Sequence, residues 1–483
     1  MITNDATLLK VKHEVLYEVA KLAYAGRLEE ERDSLPYKMV PGPQPAFRCC
    51  IYREREVIRQ RIRLAEGKAP GAEDDGNIVQ VINSACEGCP ISRYVVTDNC
   101  QKCMGKACQA ACRFGAISMG RDKSYIDPSK CKECGQCAKA CPYNAIADLV
   151  RPCMKSCPVD AISVADNGTG IAVINQDKCI QCGSCVHKCP FGAIGSKTFI
   201  VDIIKKMRSD IKVFAMLAPA TIGQFGADIT MASWRTALKK IGFYDVVDVS
   251  LGADMTAMNE AKEWIKAKEK GEKKTTSCCP AFKNYIEKHF PTLKDAISET
   301  VSPMCAVSRY IKEKFPGAVT VFIGPCIAKK AESMSGEKDT ADYALTYGEI
   351  RAMLRAKGVK LEPEEDTDDQ GSIYGKKFAN AGGVTAAVLE SMKELGCTGD
   401  VSVCKCSGIT ECKKALTLMK VGRLPEDFVE GMVCEGGCVG GPSRHRDPNL
   451  AMRDRNAALA KSSDILIKDN LDKQNAESVD MIR

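Results

Sequence analysis

Along the first eighty residues apolar positions recur at helical spacing in a charged background. The stretch "MITNDATLLKVKHEVLYEVAKLAYAGRLEEE" predicts an amphipathic helix, and the prolines and glycine of "MVPGPQPAF" mark an irregular connector after it. From about residue 212 the pattern changes. "KVFAMLAPA" and "YDVVDVSLG" predict strands, "MASWRTALKKIGF" and "ADMTAMNEAKEWIKAKEKG" predict helices, and "GAVTVFIGPC" and "GDVSVCKCSG" are further buried-strand runs. This alternation predicts a two-lobed α/β domain with mainly parallel sheets flanked by helices, whose sites lie at strand ends. Five regions follow: a helical part over 1–80, a cysteine-dense segment over 81–195, a linker helix over 196–211, the α/β domain over 212–450, and a polar C-terminal tail over 451–483.

A chain of 483 residues buries enough surface for two or three domains and has no need of disulfide staples, yet it carries 28 cysteines. No N-terminal stretch combines a basic start, an apolar run and a small-residue cleavage site, and no apolar run reaches the ~18 residues of a membrane span. The expected location is the cytoplasm, whose reducing chemistry turns so many thiols toward metal ligation or catalysis. A formal charge of +7 invites a nucleic-acid partner. Several 4Fe-4S clusters, each roughly −2 with its thiolates, remove that excess, so no nucleic-acid partner is expected.

Residues 86–190 hold 16 of the 28 cysteines. Cys131, Cys134, Cys137 and Cys141 spell C-x2-C-x2-C-x3-C-P, and Cys179, Cys182, Cys185 and Cys189 repeat it. In this run three thiolates grip one cubane and the fourth reaches its neighbour, whereas zinc sites usually join two C-x2-C pairs across a long loop. The segment therefore predicts an α+β ferredoxin-like domain. Swapping the fourth cysteine assigns Cys100, Cys103, Cys108 and Cys141 to one cluster and Cys112, Cys131, Cys134 and Cys137 to its partner. Cys86 and Cys89 of "CEGC", with Cys153 and Cys157, read as a motif split by an inserted module. The same rule gives Cys157, Cys179, Cys182 and Cys185 to a third cluster and Cys86, Cys89, Cys153 and Cys189 to a fourth. Such a row passes single electrons to an interior site. The adjacent Cys49 and Cys50 read as free thiols.

Three segments then line up: "TTSCCPAF" with Cys278 and Cys279, "GPCIAKK" with Cys326 and Lys329, and "EGMVCEGGCVGG" with Cys434 and Cys438. In order and spacing they resemble the iron-only (FeFe) hydrogenases over roughly residues 212–445. The resemblance implies reversible heterolytic interconversion of H2 with two protons and two electrons at an H-cluster, a 4Fe-4S cubane joined to a two-iron subsite with CO, CN and bridging dithiolate ligands. Cys279, Cys326, Cys434 and Cys438 would hold the cubane, and Cys278 would be the proton-handling thiol, a role its ordinary pKa near 8.5 suits. A relay from Cys278 through Glu260 and Ser298 to Glu263 is implied by the same matching, the two glutamates sharing one helix face. Lys329 would hydrogen-bond a cyanide. Pro325, Met432 and Phe378 line the pocket, a core role being equally consistent for the last two. A ferredoxin-like carrier and maturation proteins that install the two-iron subsite are the implied partners.

Departures from the family pattern are Gly324 where methionine is common, Phe282 where tryptophan is common, and the extra thiol Cys305. They resemble the branch called group B. Cys397, Cys404, Cys406 and Cys412 fall outside every motif, and "CKC" reads as small apolar residues in a strand. The alternative is a hydrogen sensor or an iron-sulfur-assembly relative without turnover. A plain polyferredoxin leaves the α/β half unexplained.

Overall fold

The structure, a computed structural model, describes residues 6–483 except 49, 72, 87–88, 90–91, 366–369 and 398. The Cys49 reading lies outside the described residues. All 27 described cysteines are free thiols.

Two parallel sheets organise the second half. One runs Asp245–Asp248, Val213–Leu217, Val319–Gly324, Tyr343–Thr346, and the other Lys274–Thr275, Phe428–Met432, Val403–Ser407. The middle strands Val213–Leu217 and Phe428–Met432 are buried at every position, as expected of parallel strands covered on both faces. "CKC" alternates as a strand does, with Lys405 exposed and Cys406 buried. The long helix spans Val249–Glu269, so the strand expected over "YDVVDVSLG" stops at Asp248. Its carboxylate accepts the Ser250 amide at 2.8 Å, and this cap starts the helix earlier than apolar spacing alone predicts.

The cysteine-dense segment is built from antiparallel ribbons. Val79–Val81 pairs with Ile194–Ser196 and Ile162–Val164 with Ala172–Ile174. Between the first two strands in sequence lies another pair of ribbons, Tyr94–Val96 with Ile146–Asp148 and Ile117–Met119 with Ser124–Ile126. One ferredoxin-like unit is thus inserted into another. The outer unit docks on the α/β half: Lys288 Nζ donates to the carbonyls of Gln176 (2.7 Å) and Cys179 (2.8 Å). Gly183, at φ +76°, stands where a Cβ would come within 2.4 Å of Ile327 Cδ1, so only glycine permits this approach.

Helix Ala6–Ala25 lies against Ile51–Ala65, Ile200–Met207 and Tyr347–Ala356, sharing a core with Val19, Leu22, Ile58, Ile62 and Ile203. The expected linker helix is the short Ile200–Met207, following directly on the ribbon strand. The segment read as a polar tail is instead integral to the α/β half. Helices Pro448–Leu459 and Ile467–Gln474 bury Arg455, Asn470 and Leu471, and the Val301 amide donates to Met481 O at 2.9 Å. Its anchors are mostly polar and its apolar residues widely spaced, so no amphipathic period showed there. No helix among the described residues is long and apolar enough to cross a membrane.

Candidate active site

The C-terminal ends of the parallel strands converge on one point, which is where such sheets present their sites. Lys274–Thr275 leads to Cys278 and Cys279, Val319–Gly324 to Pro325 and Cys326, and Phe428–Met432 to Cys434 and Cys438. They enclose a cavity of about 90 Å³ whose walls include Cys278, Cys279, Cys326, Cys434, Cys438, Lys329, Pro325, Phe378 and Met432. Of the residues the sequence singled out for this site, Glu260, Glu263 and Ser298 stand behind the wall.

Local chemistry holds each thiol. Cys279 is the N-cap of helix Pro280–His289, with Pro280 at its first position, so the thiol sits at the positive end of a helix. Cys438 follows two glycines with positive φ, and its amide donates to Ala379 O at 2.8 Å. A Cβ on Gly437 would stand 2.6 Å from that same oxygen, which is why the turn needs glycine. Burial pushes Cys326 up to about 11 and Cys438 up to about 12, the nearby Cys279 adding to both, and burial raises Cys434 well above the ordinary range. Buried thiols of this kind become thiolates when a cation accepts them as ligands.

Lys329 Nζ donates to Ser302 Oγ (2.9 Å) and Cys278 O (3.4 Å) and pairs with Glu332 at 2.6 Å. Burial pushes its pKa down, but the Glu332 carboxylate more than offsets this and the ammonium is favoured. Ser302 in turn caps helix Pro303–Lys314 through the Cys305 amide at 3.4 Å. The "SP" dipeptide signals that cap; its service to Lys329 has no sequence signal. Cys305 is buried in that helix, with its thiol 4.0 Å from Lys338 O, and is not a wall residue of the cavity.

Behind Cys278 lies Glu260, fully buried on helix Val249–Glu269. Among the described residues neither carboxylate oxygen closes a strict hydrogen bond, and the Ser277 amide and Ser298 hydroxyl beside it pull its pKa down. Burial and then Glu263 push its pKa up to about 8. Burial raises Cys278 well above the usual thiol range, and Glu260 is the group that adds most to the rise. Glu263, one turn on and partly exposed, accepts Ser298 Oγ at 2.6 Å, Thr300 Oγ1 at 3.2 Å and the Glu299 amide at 3.2 Å.

Arg455 carries no sequence signal of a site, since it lies in the segment that reads as a tail. Its buried guanidinium donates to Asn380 Oδ1 (3.0 Å), Pro219 O (2.5 Å) and Lys376 O, bracing the loops that carry Phe378 and Pro219 into the cavity wall.

The other cysteines gather into quartets. Cys112, Cys131, Cys134 and Cys137 line one small cavity, and Cys100, Cys103, Cys108 and Cys141 another. In the outer unit Cys157, Cys179 and Cys182 act electrostatically on Cys185, and Cys189, Cys89 and Cys86 act on Cys153. Among the described residues no three His, Cys, Asp or Glu side chains crowd closely enough to share a single ion, so the quartets surround a space rather than a point. Cys182 also lines the large cavity, beside Cys326 and Cys434. Cys404, Cys406 and Cys412 cluster elsewhere, with Cys404 Sγ 3.9 Å from Cys406 Sγ and Cys412 Sγ 3.7 Å from Met432 O.

Residues 211–442 match the family described as "Iron only hydrogenase large subunit, C-terminal domain", residues 124–147 a 4Fe-4S binding domain and 151–193 a 4Fe-4S dicluster domain. Iron hydrogenase 1 of Clostridium pasteurianum is 30% identical over 385 residues, 68% of this chain and 66% of that protein. The chain belongs to the iron-only hydrogenase family. The chain thus spans about two thirds of that relative's length. The periplasmic [Fe] hydrogenase large subunit of Nitratidesulfovibrio vulgaris is 29% identical over 51% of this chain and 72% of its own. A more distant relative, a cytosolic Fe-S cluster assembly factor of Meyerozyma guilliermondii, is 26% identical over 33% of this chain and 32% of its own. The α/β half with its parallel sheets carries the match to the hydrogenase family, and the ferredoxin-like half carries the two 4Fe-4S matches.

Proposed function

We propose that this protein interconverts H2 with two protons and two electrons. The observation that carries the reading is Cys278, a thiol that shares one apolar cavity with Cys279, Cys326, Cys434 and Cys438 and is backed by the buried Glu260. The donor set fits an iron-sulfur group, since such clusters take thiolates and the walls are otherwise almost wholly apolar. Cys279, Cys326, Cys434 and Cys438 would hold the cubane of the H-cluster, which supplies the redox and Lewis-acid chemistry when bound.

The chain's own residues orient, exclude water and move protons. Lys329, fixed by Ser302 and Glu332, presents an ammonium at the cavity wall for an anionic ligand such as cyanide. Phe378, Met432 and Pro325 keep the space dry. Cys278 Sγ gives and takes the proton, and Glu260, Ser298 and Glu263 carry it to the partly exposed face of their helix. The four quartets in the ferredoxin-like half would each hold a 4Fe-4S cluster, with Cys182 bringing the nearest one to Cys326 and Cys434. A ferredoxin-like carrier in the cytoplasm would exchange electrons with the row, and maturation proteins would install the two-iron subsite.

Infrared spectroscopy of anaerobically matured protein, with a hydrogen assay using a reduced dye on the same sample, tests the reading. Carbonyl and cyanide bands with turnover that collapses in Cys278→Ala are expected. Bands without turnover favour a hydrogen sensor. The distant assembly-factor relative makes a second reading concrete, and absence of bands after verified maturation favours it.

A further inference from the structure

The helical N-terminal region brings two cations into the interior beside one cysteine quartet. Arg61, 7% exposed, donates Nη2 to Gly192 O at 2.7 Å, and its Nε has no partner. Lys12 reaches in from helix Ala6–Ala25 with Nζ 3.5 Å from Val186 O. Gly192 makes room for both: a Cβ there would stand 2.5 Å from Arg61 Nη2 and 3.2 Å from Lys12 Cε. Neither cation forms an ion pair with a carboxylate among the described residues. Their bonds go to neutral carbonyls, and the group that most favours the charge on each is Cys189 as a thiolate. The buried Arg151, bonded to Gly170 O at 2.6 Å, acts on Cys89 of the same quartet.

Burying a charge without a counter-charge costs several kcal/mol, so the buried Arg61 with the half-buried Lys12 beside it calls for an anion. A cluster with four thiolates supplies one. We propose that Lys12 and Arg61 form a cationic collar that raises the reduction potential of the cluster held by Cys86, Cys89, Cys153 and Cys189, making it the electron reservoir of the row. Each electron that enters adds one negative charge at the quartet with no bond made or broken, and a nearby buried cation favours that state. The contrast with other quartets supports this: the cations acting on Cys179 and Cys100 are Lys288 and Lys102, both exposed and screened by solvent.

The inference rests on the reading that this quartet holds a cluster, and the test separates the two. Anaerobic redox titration of the iron-sulfur-loaded full chain, followed by electron paramagnetic resonance, is carried out on the native protein, Arg61→Gln, Arg61→Lys, Lys12→Gln and Cys189→Ser. The signal lost in Cys189→Ser is expected to shift to lower potential in Arg61→Gln and Lys12→Gln and to recover in Arg61→Lys, the other signals staying in place. If Arg61→Gln fails to load iron, Lys12→Gln decides alone. Unchanged midpoints at native iron content, or a common shift of every signal, overturn the collar. A spectrum unaltered by Cys189→Ser overturns the ligand assignment beneath it. No outcome depends on hydrogen turnover.

Discussion

Ser298 Oγ donates to Glu263 Oε2 across 2.6 Å, joining the loop ahead of helix Pro303–Lys314 to the partly exposed face of helix Val249–Glu269. The bond stands between the buried Glu260 and the partly exposed helix face, and it makes the proposed relay a specific object to cut. Ser298→Ala and Glu263→Gln are each expected to lower hydrogen turnover by about 10²-fold or more, the scale of a lost acid-base group. The infrared bands should persist, since neither residue lines the cavity. Turnover within twofold of native in both variants would remove this route.

Glu260 ties stability to pH. Its folded pKa of about 8 lies above the ordinary 4.5, so the folded state holds a proton that the unfolded chain has released between those values. The stabilisation is full below about 4.5, shrinks as pH rises through the window and is gone above about 8. Buried Asp254, pushed up to about 7, acts in the same direction, so the difference between native and Glu260→Gln is the clean readout. The unfolding free energy from denaturant titration should fall less between pH 5 and pH 8 in Glu260→Gln than in the native protein, by on the order of a few kcal/mol.

Lys329 and Glu332 test a buried pair from both ends. Lys329→Met leaves the Glu332 carboxylate without its cation and should cost about 3–5 kcal/mol, while Lys329→Arg keeps the charge but not the slender reach. The double variant Lys329→Met with Glu332→Leu should regain most of the stability, measured by thermal unfolding, yet still lack the cavity's ammonium. Its two-iron occupancy, read from infrared band intensity per protein, should stay low.

Gly183 keeps the ferredoxin-like half against the α/β half. Gly183→Leu would drive a side chain into Ile327 and push Cys182 away from Cys326. Dye-linked hydrogen turnover through the cluster row should drop at least several-fold. Hydrogen-deuterium exchange at the active site needs no external electrons and should remain. Equal loss of both would mean that the substitution reaches the cavity itself.

Much of this protein was legible before its fold was known, for reasons specific to particular residues. Cluster cysteines must sit at fixed short spacings on one loop and a following turn, so Cys131 to Cys141 and Cys179 to Cys189 announce themselves. The strands of Val213–Leu217 and Val319–Gly324, buried on both faces, could only be written as apolar runs. Other features gave no such signal. Arg455 and Asn470 anchor their helices through buried polar bonds, which leave no apolar period and made the segment look like a tail. Ser302 has a capping signature, but that Lys329 would fold back onto it depends on a contact between separate elements.

Which atoms are available for the chemistry is written in the chain: thiols in motif spacing, a lysine three residues after Cys326, and two glutamates one helical turn apart. Those are local matters, set by covalent spacing and helix geometry. How they meet is a matter of long-range packing. Parallel strands from distant parts of the chain end at a single cavity, helix burial strips Glu260 of partners, and an N-terminal helix carries Lys12 to a quartet whose last cysteine is Cys189. Burial and long-range proximity arise from packing elements far apart in the chain. They set the protonation of Glu260 and the electrostatic surroundings of the thiols, which no local spacing encodes.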